Sequence, residues 1–451
     1  MAIAYQNPAP MNKKLLSMLL LCLVVLSANC QKNQSSSYNI SNSGDGKLAT
    51  HHMTINNDGN SLEIKYAGEV RFNDDETAIQ SLDPKGGLFY RKNDQKLIAE
   101  TDDKGNIVYE MYDGSTKLSI ETAAGKQFLA NIIKDLVNHG IDAKGSVERL
   151  YKKGGSSAVL NRVETLKSDY AKGIYLDHLL QQPSLASAEL STIAEKAGTL
   201  ISSDYEKAKV LSKSTERFIA EPKAAQAYFA AAKTINSDYE KAKVLKGVLA
   251  HNLSAELYNQ AISLTRDIHS DYEKAGVLKS MIEKSKLEGE NYQKLLDVVT
   301  LIHSDYEKAG VAIRLIDKGI PNKQAYDQLI KVSGQINSDY EHARVLKRLL
   351  DQPVPAGVDF EQVLGLLDKI GSDYEKAGVL KKISNKELSP EQWVSLIQAT
   401  SGISSNYEKS GVLVQIARLM PKNEKTEEAY RQAAKTVSSD HEFGKVMRAL
   451  E

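Results

Sequence analysis

Nine copies of one short motif fix what this chain can fold into. They open at Ser168, Ser203, Ser237, Ser270, Ser304, Ser338, Ser372, Ser405 and Ser439, with successive spacings of 35, 34, 33, 34, 34, 34, 33 and 34 residues. The clearest copy reads Ser203-Asp204-Tyr205-Glu206-Lys207-Ala208-Lys209-Val210-Leu211. A period this constant means one supersecondary unit stacked many times, each burying its apolar face against its neighbours. The expected fold class is α+β, an N-terminal antiparallel β-meander followed by an α-solenoid of about nine helix–turn–helix repeats of roughly 34 residues.

Each motif starts a helix. Ser203-x-x-Glu206 is a capping box, in which the serine hydroxyl accepts from the glutamate N–H and the carboxylate reaches back to the serine N–H. Serine stands in all nine copies and glutamate in eight, with Ala171 the exception. The following aspartate, replaced only by Asn406, puts an anion where the helix dipole favours one. Tyr205, Ala208 and Leu211 read as an apolar stripe whose middle position is always Gly, Ala or Ser, so that a neighbouring helix can approach closely. A second helix precedes each motif. Its core positions are the aliphatic residue two before the serine (Leu166, Ile201, Ile235 and their equivalents) and, in five copies, an aromatic twelve before it: Tyr258, Tyr292, Tyr326, Phe360 and Trp393. Asn236, His269, His303, Asn337 and Gly371 fall between the helices and are types that tolerate left-handed backbone.

Stacking aligns Asp204, Asp238, Asp271, Asp305, Asp339 and Asp373 beside Tyr205, Tyr239, Tyr272, Tyr306, Tyr340 and Tyr374. Such a ladder of carboxylates and phenols suits a groove for a peptide or a glycan. The simpler reading gives the aspartates to the helix dipole and packs the tyrosines between neighbours, and capping and periodicity already account for both. The position after the small residue alternates between Gly and a long cation: Lys209, Lys243, Gly276, Gly310, Arg344, Gly378, Gly411 and Lys445. Solvation explains this most simply; a specificity-bearing position is the alternative.

Ahead of the array the pattern changes. Residues 48–122 alternate in short runs between turn signals such as Asn73-Asp74-Asp75, Asp102-Asp103-Lys104-Gly105 and Asp113-Gly114, which predicts a meander of about six strands. Residues 123–167 switch to a helical period, with stops at Gly140 and Gly154-Gly155, and read as a degenerate capping repeat; residues 168–451 are the array. Residues 31–47 are Ser/Asn/Gly-rich and read as a flexible tether. Residues 1–30 carry Lys13-Lys14, an apolar run from Leu15 to Ala28, and Cys30. This is a signal-peptide pattern, with Cys30 where a lipidated cysteine would stand. The expectation is an exported, periplasmic or outer-membrane lipoprotein, held to the membrane by a lipid anchor.

The chain has 58 basic and 58 acidic residues, and the two signs alternate within each repeat. That excludes the basic stripe a nucleic-acid binder needs. His51-His52 lacks the ligand spacing of a metal site, no phosphate loop, dinucleotide fingerprint or nucleophile elbow occurs, and no cofactor is expected.

Three segments carry a resemblance over residues 60–180: Ile79 through Gly87, Asp103 through Tyr109, and Gly155 through Leu160 continuing to Ser168-Asp169-Tyr170. The chain resembles uncharacterised bacterial envelope lipoproteins with tetratricopeptide- or HEAT-like helical repeats. It also resembles the extracytoplasmic module that accompanies membrane metallopeptidases of the β-lactam-sensor type. The peptidase itself requires a His-Glu-x-x-His motif, which this sequence lacks, so the resemblance implies the module alone. The leading expectation is a non-catalytic binding scaffold or sensor module that recruits a protein or peptide partner in the envelope. The alternative is an envelope enzyme, or the regulatory subunit of one, with a site where sheet meets array. A purely structural spacer is the third reading.

Overall fold

The computed structural model describes residues 34–41, 49–57, 60–284, 289–355, 357–358 and 360–451. The segment bearing Cys30 lies outside them. The chain divides into two compact units, one up to Ala171 and one from Lys172 to Glu451.

The first unit is built on a seven-stranded antiparallel sheet of order β1-β2-β3-β6-β7-β8-β9, with a separate pair, β4–β5. The strands are β1 (Gln34–Ser41), β2 (Thr50–Asn57), β3 (Asn60–Ala67), β4 (Val70–Phe72), β5 (Ile79–Leu82), β6 (Gly87–Lys92), β7 (Gln95–Thr101), β8 (Ile107–Asp113) and β9 (Thr116–Leu118). Every pairing joins consecutive strands except β3 with β6, where the β4–β5 hairpin is inserted. The expectation of a tether over residues 31–47 needs correcting, because Gln34–Ser41 pairs along its whole length with β2. That segment has too few apolar residues to show a strand period, and backbone hydrogen bonding to an open sheet edge needs none.

Alternation selects the inner face of the sheet: Ile64, Leu88, Tyr90, Leu97, Ala99 and Met111 are all buried. Two helices follow, α1 (Ala123–Asn138) and α2 (Ala143–Thr165). Thr122 caps α1 through the Gly125 N–H, and Phe128, Leu129, Ile132, Ile133 and Leu136 are buried at the predicted helical spacing. The chain leaves α1 through Gly140 at φ 83°. Gly155, at φ 64°, breaks α2 at the Gly154-Gly155 stop read from sequence.

The second unit is a two-layered helical array. Of the first helices of the repeats, Ser187–Leu200, Pro222–Lys233, Ala255–Arg266, Gly289–Val299 and Lys323–Ser333 touch in succession, and so do Phe360–Leu366, Pro390–Ala399 and Glu424–Ala434. The second helices (Asp204–Lys213, Asp238–Val248, Asp271–Lys284, Asp305–Lys318, Asp339–Leu350, Asp373–Ile383, Asn406–Leu419 and Asp440–Leu450) all touch in succession. The core is the set the period selects. Ile235, Ile302, Ile370 and Ile403 are fully buried ahead of their motifs, and Ala208, Ala242, Ala275, Ala309, Ala343 and Ala377 are fully buried within them. Tyr258, Tyr292, Tyr326, Phe360 and Trp393 are buried. Burial pushes the Tyr292 phenol up from its ordinary range while it donates to the Leu315 carbonyl at 3.1 Å.

Candidate functional site

Each second helix begins with a serine cap. The Ser203, Ser237, Ser304 and Ser372 hydroxyls each accept from the glutamate N–H three residues on at 3.4 Å. The reciprocal half of the capping box does not form. The serine N–H is taken by the aspartate of the preceding repeat: Ser237 donates to Asp204 at 2.7 Å, Ser270 to Asp238 at 2.6 Å, Ser304 to Asp271 at 2.7 Å, Ser338 to Asp305 at 2.8 Å, Ser372 to Asp339 at 2.8 Å and Ser405 to Asp373 at 2.7 Å. The same carboxylates accept from the residue before the serine: Asn236, His269, His303, Asn337, Gly371 and Ser404. The aspartate row is therefore a series of staples between repeats, and Asn406 keeps the function by accepting from the Ser438 N–H at 2.9 Å. Contrary to the expectation from their type, the turn residues do not adopt left-handed backbone; among the described residues only Glu76, Lys85, Asn93, Asp142 and certain glycines have positive φ, and Gly371 is not one of these.

The motif lysine is a second staple that the sequence reading missed. Lys207, Lys241, Lys274, Lys308, Lys376 and Lys409 are buried. Lys207 donates to the Thr234 carbonyl at 3.1 Å, Lys274 to Leu301 at 3.4 Å, Lys376 to Gly402 at 2.9 Å and Lys409 to Thr436 at 3.1 Å. Each acceptor lies at the C-terminal end of the next repeat's first helix, where carbonyls lack partners and the dipole favours a cation. Burial pulls the Lys274, Lys308 and Lys409 ammonium groups below their ordinary range. Aspartate and lysine thus grip both sides of the turn in the following repeat.

The alternation between Gly and a cation follows the pairing of the motif glutamate. In four copies the cation comes from the same helix: Lys209, Lys243, Arg344 and Lys445 stand 3.3, 3.5, 2.8 and 3.4 Å from Glu206, Glu240, Glu341 and Glu442. In the other four, glycine opens a gap and a lysine enters from the preceding repeat. Lys246, Lys279 and Lys347 reach Glu273, Glu307 and Glu375 at 3.2, 2.7 and 2.6 Å. A Cβ placed on Gly378 would lie 2.6 Å from the Lys347 Nζ, and one on Gly411 would lie 3.4 Å from the Lys381 Nζ. The donor position, nine residues after the preceding serine, is Lys246, Lys279, Lys347 and Lys381 ahead of the four glycines and Asp177, Ser212, Ile313 and Val414 ahead of the four cations. The first copy lacks both the glutamate (Ala171) and the cation (Ile174). Comparing residues nine after one serine with residues six after the next would have found this signal.

The tyrosines do the opposite of what the apolar stripe predicts. Tyr205, Tyr239, Tyr272, Tyr306, Tyr340, Tyr374 and Tyr407 are 54–71% exposed. Helical geometry explains why. At about 100° per residue, the aspartate and lysine turn toward the next repeat and the glutamate toward the preceding one, which leaves the tyrosine on the remaining, outward side. The cations that pair with glutamate also lie over these rings: Lys209 and Lys243 sit 5.9 and 5.7 Å from the Tyr205 centroid, and Lys347 and Lys445 each 5.8 Å from Tyr374 and Tyr407. Of the predicted ladder, then, the aspartates serve the fold and the phenols form a surface row.

In the first unit, polar groups converge around Asp142, whose side chain is 1% exposed. It accepts from the Phe72 N–H at 2.9 Å and pairs with Arg149 at 2.9 Å and Arg71 at 3.4 Å. Glu76 beside it accepts from Ser146 at 2.9 Å and Arg162 at 2.6 Å. These groups satisfy one another and lock the β4–β5 hairpin to α2. His51 stacks on Tyr66 with centroids 4.3 Å apart, and His52 lies 3.2 Å from Glu63. Among the described residues no group of three or more His, Cys, Asp or Glu is placed to hold a metal, and no helix is long and apolar enough to cross a membrane.

No family model and no curated protein matches the chain. Among solved structures it is similar to a chain from work on the computational design of self-assembling cyclic protein homooligomers, at 13% identity over 70% of this chain and 97% of that one. The TM-score of 0.12 is too low for that likeness to carry an argument.

Proposed function

We propose that this protein is a non-catalytic binding scaffold whose helical array recruits a protein or peptide partner in the cell envelope, on a membrane reached through a lipid on Cys30. The observation that supports binding is the row of seven tyrosines, one per repeat, that stay more than half exposed even where lysines lie over their rings. A solvated row would be expected to carry charged or small residues, whereas tyrosine offers large, rigid, amphipathic contact area at little entropic cost. Exported location and lipidation rest on the Lys13-Lys14, Leu15–Ala28 and Cys30 pattern.

The test compares residues 31–451 with the same chain carrying Tyr272→Ser, Tyr306→Ser and Tyr340→Ser as baits against envelope extract from the source cells. A partner retained by the first and lost by the second is the expected result. Equal retention by both would remove the tyrosine row from the function.

A further inference from the structure

We infer that the array contains one acid-sensitive joint, between the Asp339–Leu350 helix and the repeat after it, where a proton on the buried His342 ring loosens the contact. Seven of the nine motif copies carry lysine four residues after the serine; His342 and Phe443 are the exceptions. The lysines close on the residue three before the next serine: Lys172 on the Leu200 carbonyl at 2.7 Å, Lys308 on the Gln335 Oε1 at 3.4 Å and Lys376 on the Gly402 carbonyl at 2.9 Å. At the His342 joint that residue is Lys369, the one cation at this position in any repeat. Its ammonium turns back and donates to the Gly334 carbonyl at 2.9 Å. The staple therefore runs the other way here. His342 takes no part in it: the residue is 1% exposed, and neither ring nitrogen has a hydrogen-bond partner.

Burial favours the neutral form of such a ring, because the charged form gives up its hydration. Three charges face it. Lys369, on the following repeat, also disfavours the charged ring; Asp339 on its own helix and Asp305 on the preceding second helix oppose, and the balance leaves the pKa below the ordinary 6.5. Glu375, on the following second helix, is taken by Lys347 at 2.6 Å. In an opened joint the ring regains water and its ordinary titration. Below pH 6.5 the open form therefore binds the proton first, and acid shifts the joint toward it. The following repeat also has the shortest first helix. Phe360–Leu366 has seven α-helical residues where the others have ten to fourteen, and it continues only as a 3₁₀ turn, Leu367–Lys369. The chain enters it past Pro353, Pro355 and Gly357 at φ 78°, beside a cavity of about 350 Å³ lined by Val354, Pro355, Val358 and Phe360. Tyr340 and Tyr374 stand on either side of the joint, so loosening it divides the tyrosine row.

Native-state hydrogen exchange of the full chain at pH 8 and at pH 5, corrected for the intrinsic rate at each pH, tests the inference. From the first pH to the second, the opening constants of the Asp339–Leu350 and Asp373–Ile383 helices should rise roughly threefold or more beyond any rise in the Asp204–Lys213 helix. His342→Gln, neutral at both, should remove that excess. His342→Lys with Lys369→Gln rebuilds the Lys308–Gln335 pair of the preceding joint; it should remove the excess too, and protect both helices better than the parent at pH 5. No excess opening in the parent, or an excess that both variants keep, would overturn the inference. So would a rise shared evenly along the array, which would make the acid effect a global one. These readouts do not depend on what the tyrosine row binds, so the proposed binding role and this inference fail separately.

Discussion

The sharpest test of how the repeats hold together is to move a cation from one repeat to its neighbour. Arg344 pairs with Glu341 at 2.8 Å; the glutamate side chain is 9% exposed and the arginine 37%. Arg344→Gly removes the cation and leaves a nearly buried carboxylate. A hydrogen bond to a charged group contributes about 1.5–3 kcal/mol, and partial exposure puts this one near the lower end. Glycine inside a helix adds about 1 kcal/mol, so the variant should lose roughly 2–3 kcal/mol. Ile313 occupies the position from which Lys246, Lys279 and Lys347 reach across in other copies. Adding Ile313→Lys to Arg344→Gly should recover about 1–2 kcal/mol, whereas adding it to Arg344→Ala should recover less, because a Cβ crowds the incoming ammonium. A repeat array does not unfold in one step, so native-state hydrogen exchange of the Asp339–Leu350 helix is the appropriate assay. A coupling below about 0.5 kcal/mol between the two positions would refute the exchange of cations.

Asp305→Ala removes the acceptor for the Asn337 and Ser338 N–H groups and should cost about 2–3 kcal/mol in native-state hydrogen exchange of the Asp339–Leu350 helix; Asp305→Asn, which copies Asn406, should cost clearly less. Asp142→Ala takes one partner from Arg71 and Arg149, which keep Glu69, Glu148 and Glu76, and leaves the Phe72 N–H without its acceptor; it should lower the stability of the first unit by about 1–3 kcal/mol, read as a fall in its melting temperature. His342 replaces the motif lysine and is buried with neither ring nitrogen bonded; burial and then Lys369 hold its pKa below the ordinary value of 6.5, with Asp339 and Asp305 opposing. Well above pH 6.5 it is neutral whether folded or unfolded, and its titration has no effect on stability. As the pH falls below that value the unfolded chain takes the proton first, so stability should decline until the lower folded pKa is passed. Urea midpoints measured between pH 8 and pH 5 should fall less in His342→Gln than in the parent, and parallel curves would remove His342 as a contributor.

What the sequence determined by itself is whatever depends on period and local chemistry. The spacing of the serines set the array, helical spacing selected Ile235, Ala242 and Tyr292 as core, alternation selected Ile64 and Leu97, and Gly154-Gly155 marked a helix break. These features are legible because an element's buried face is fixed by its own repeat of two or 3.6 residues. What only the tertiary structure decided is the direction of side chains at the contacts between repeats. Asp204 reads as an ordinary first-turn charge, yet it is committed to the next repeat, as is Lys207; Tyr205 reads as core, yet it faces outward. One helix considered alone cannot say which of its sides meets a preceding helix, a following helix or solvent, since that depends on where the neighbours lie. The same limit hid the strand at Gln34–Ser41, which is defined by its backbone pairing with β2.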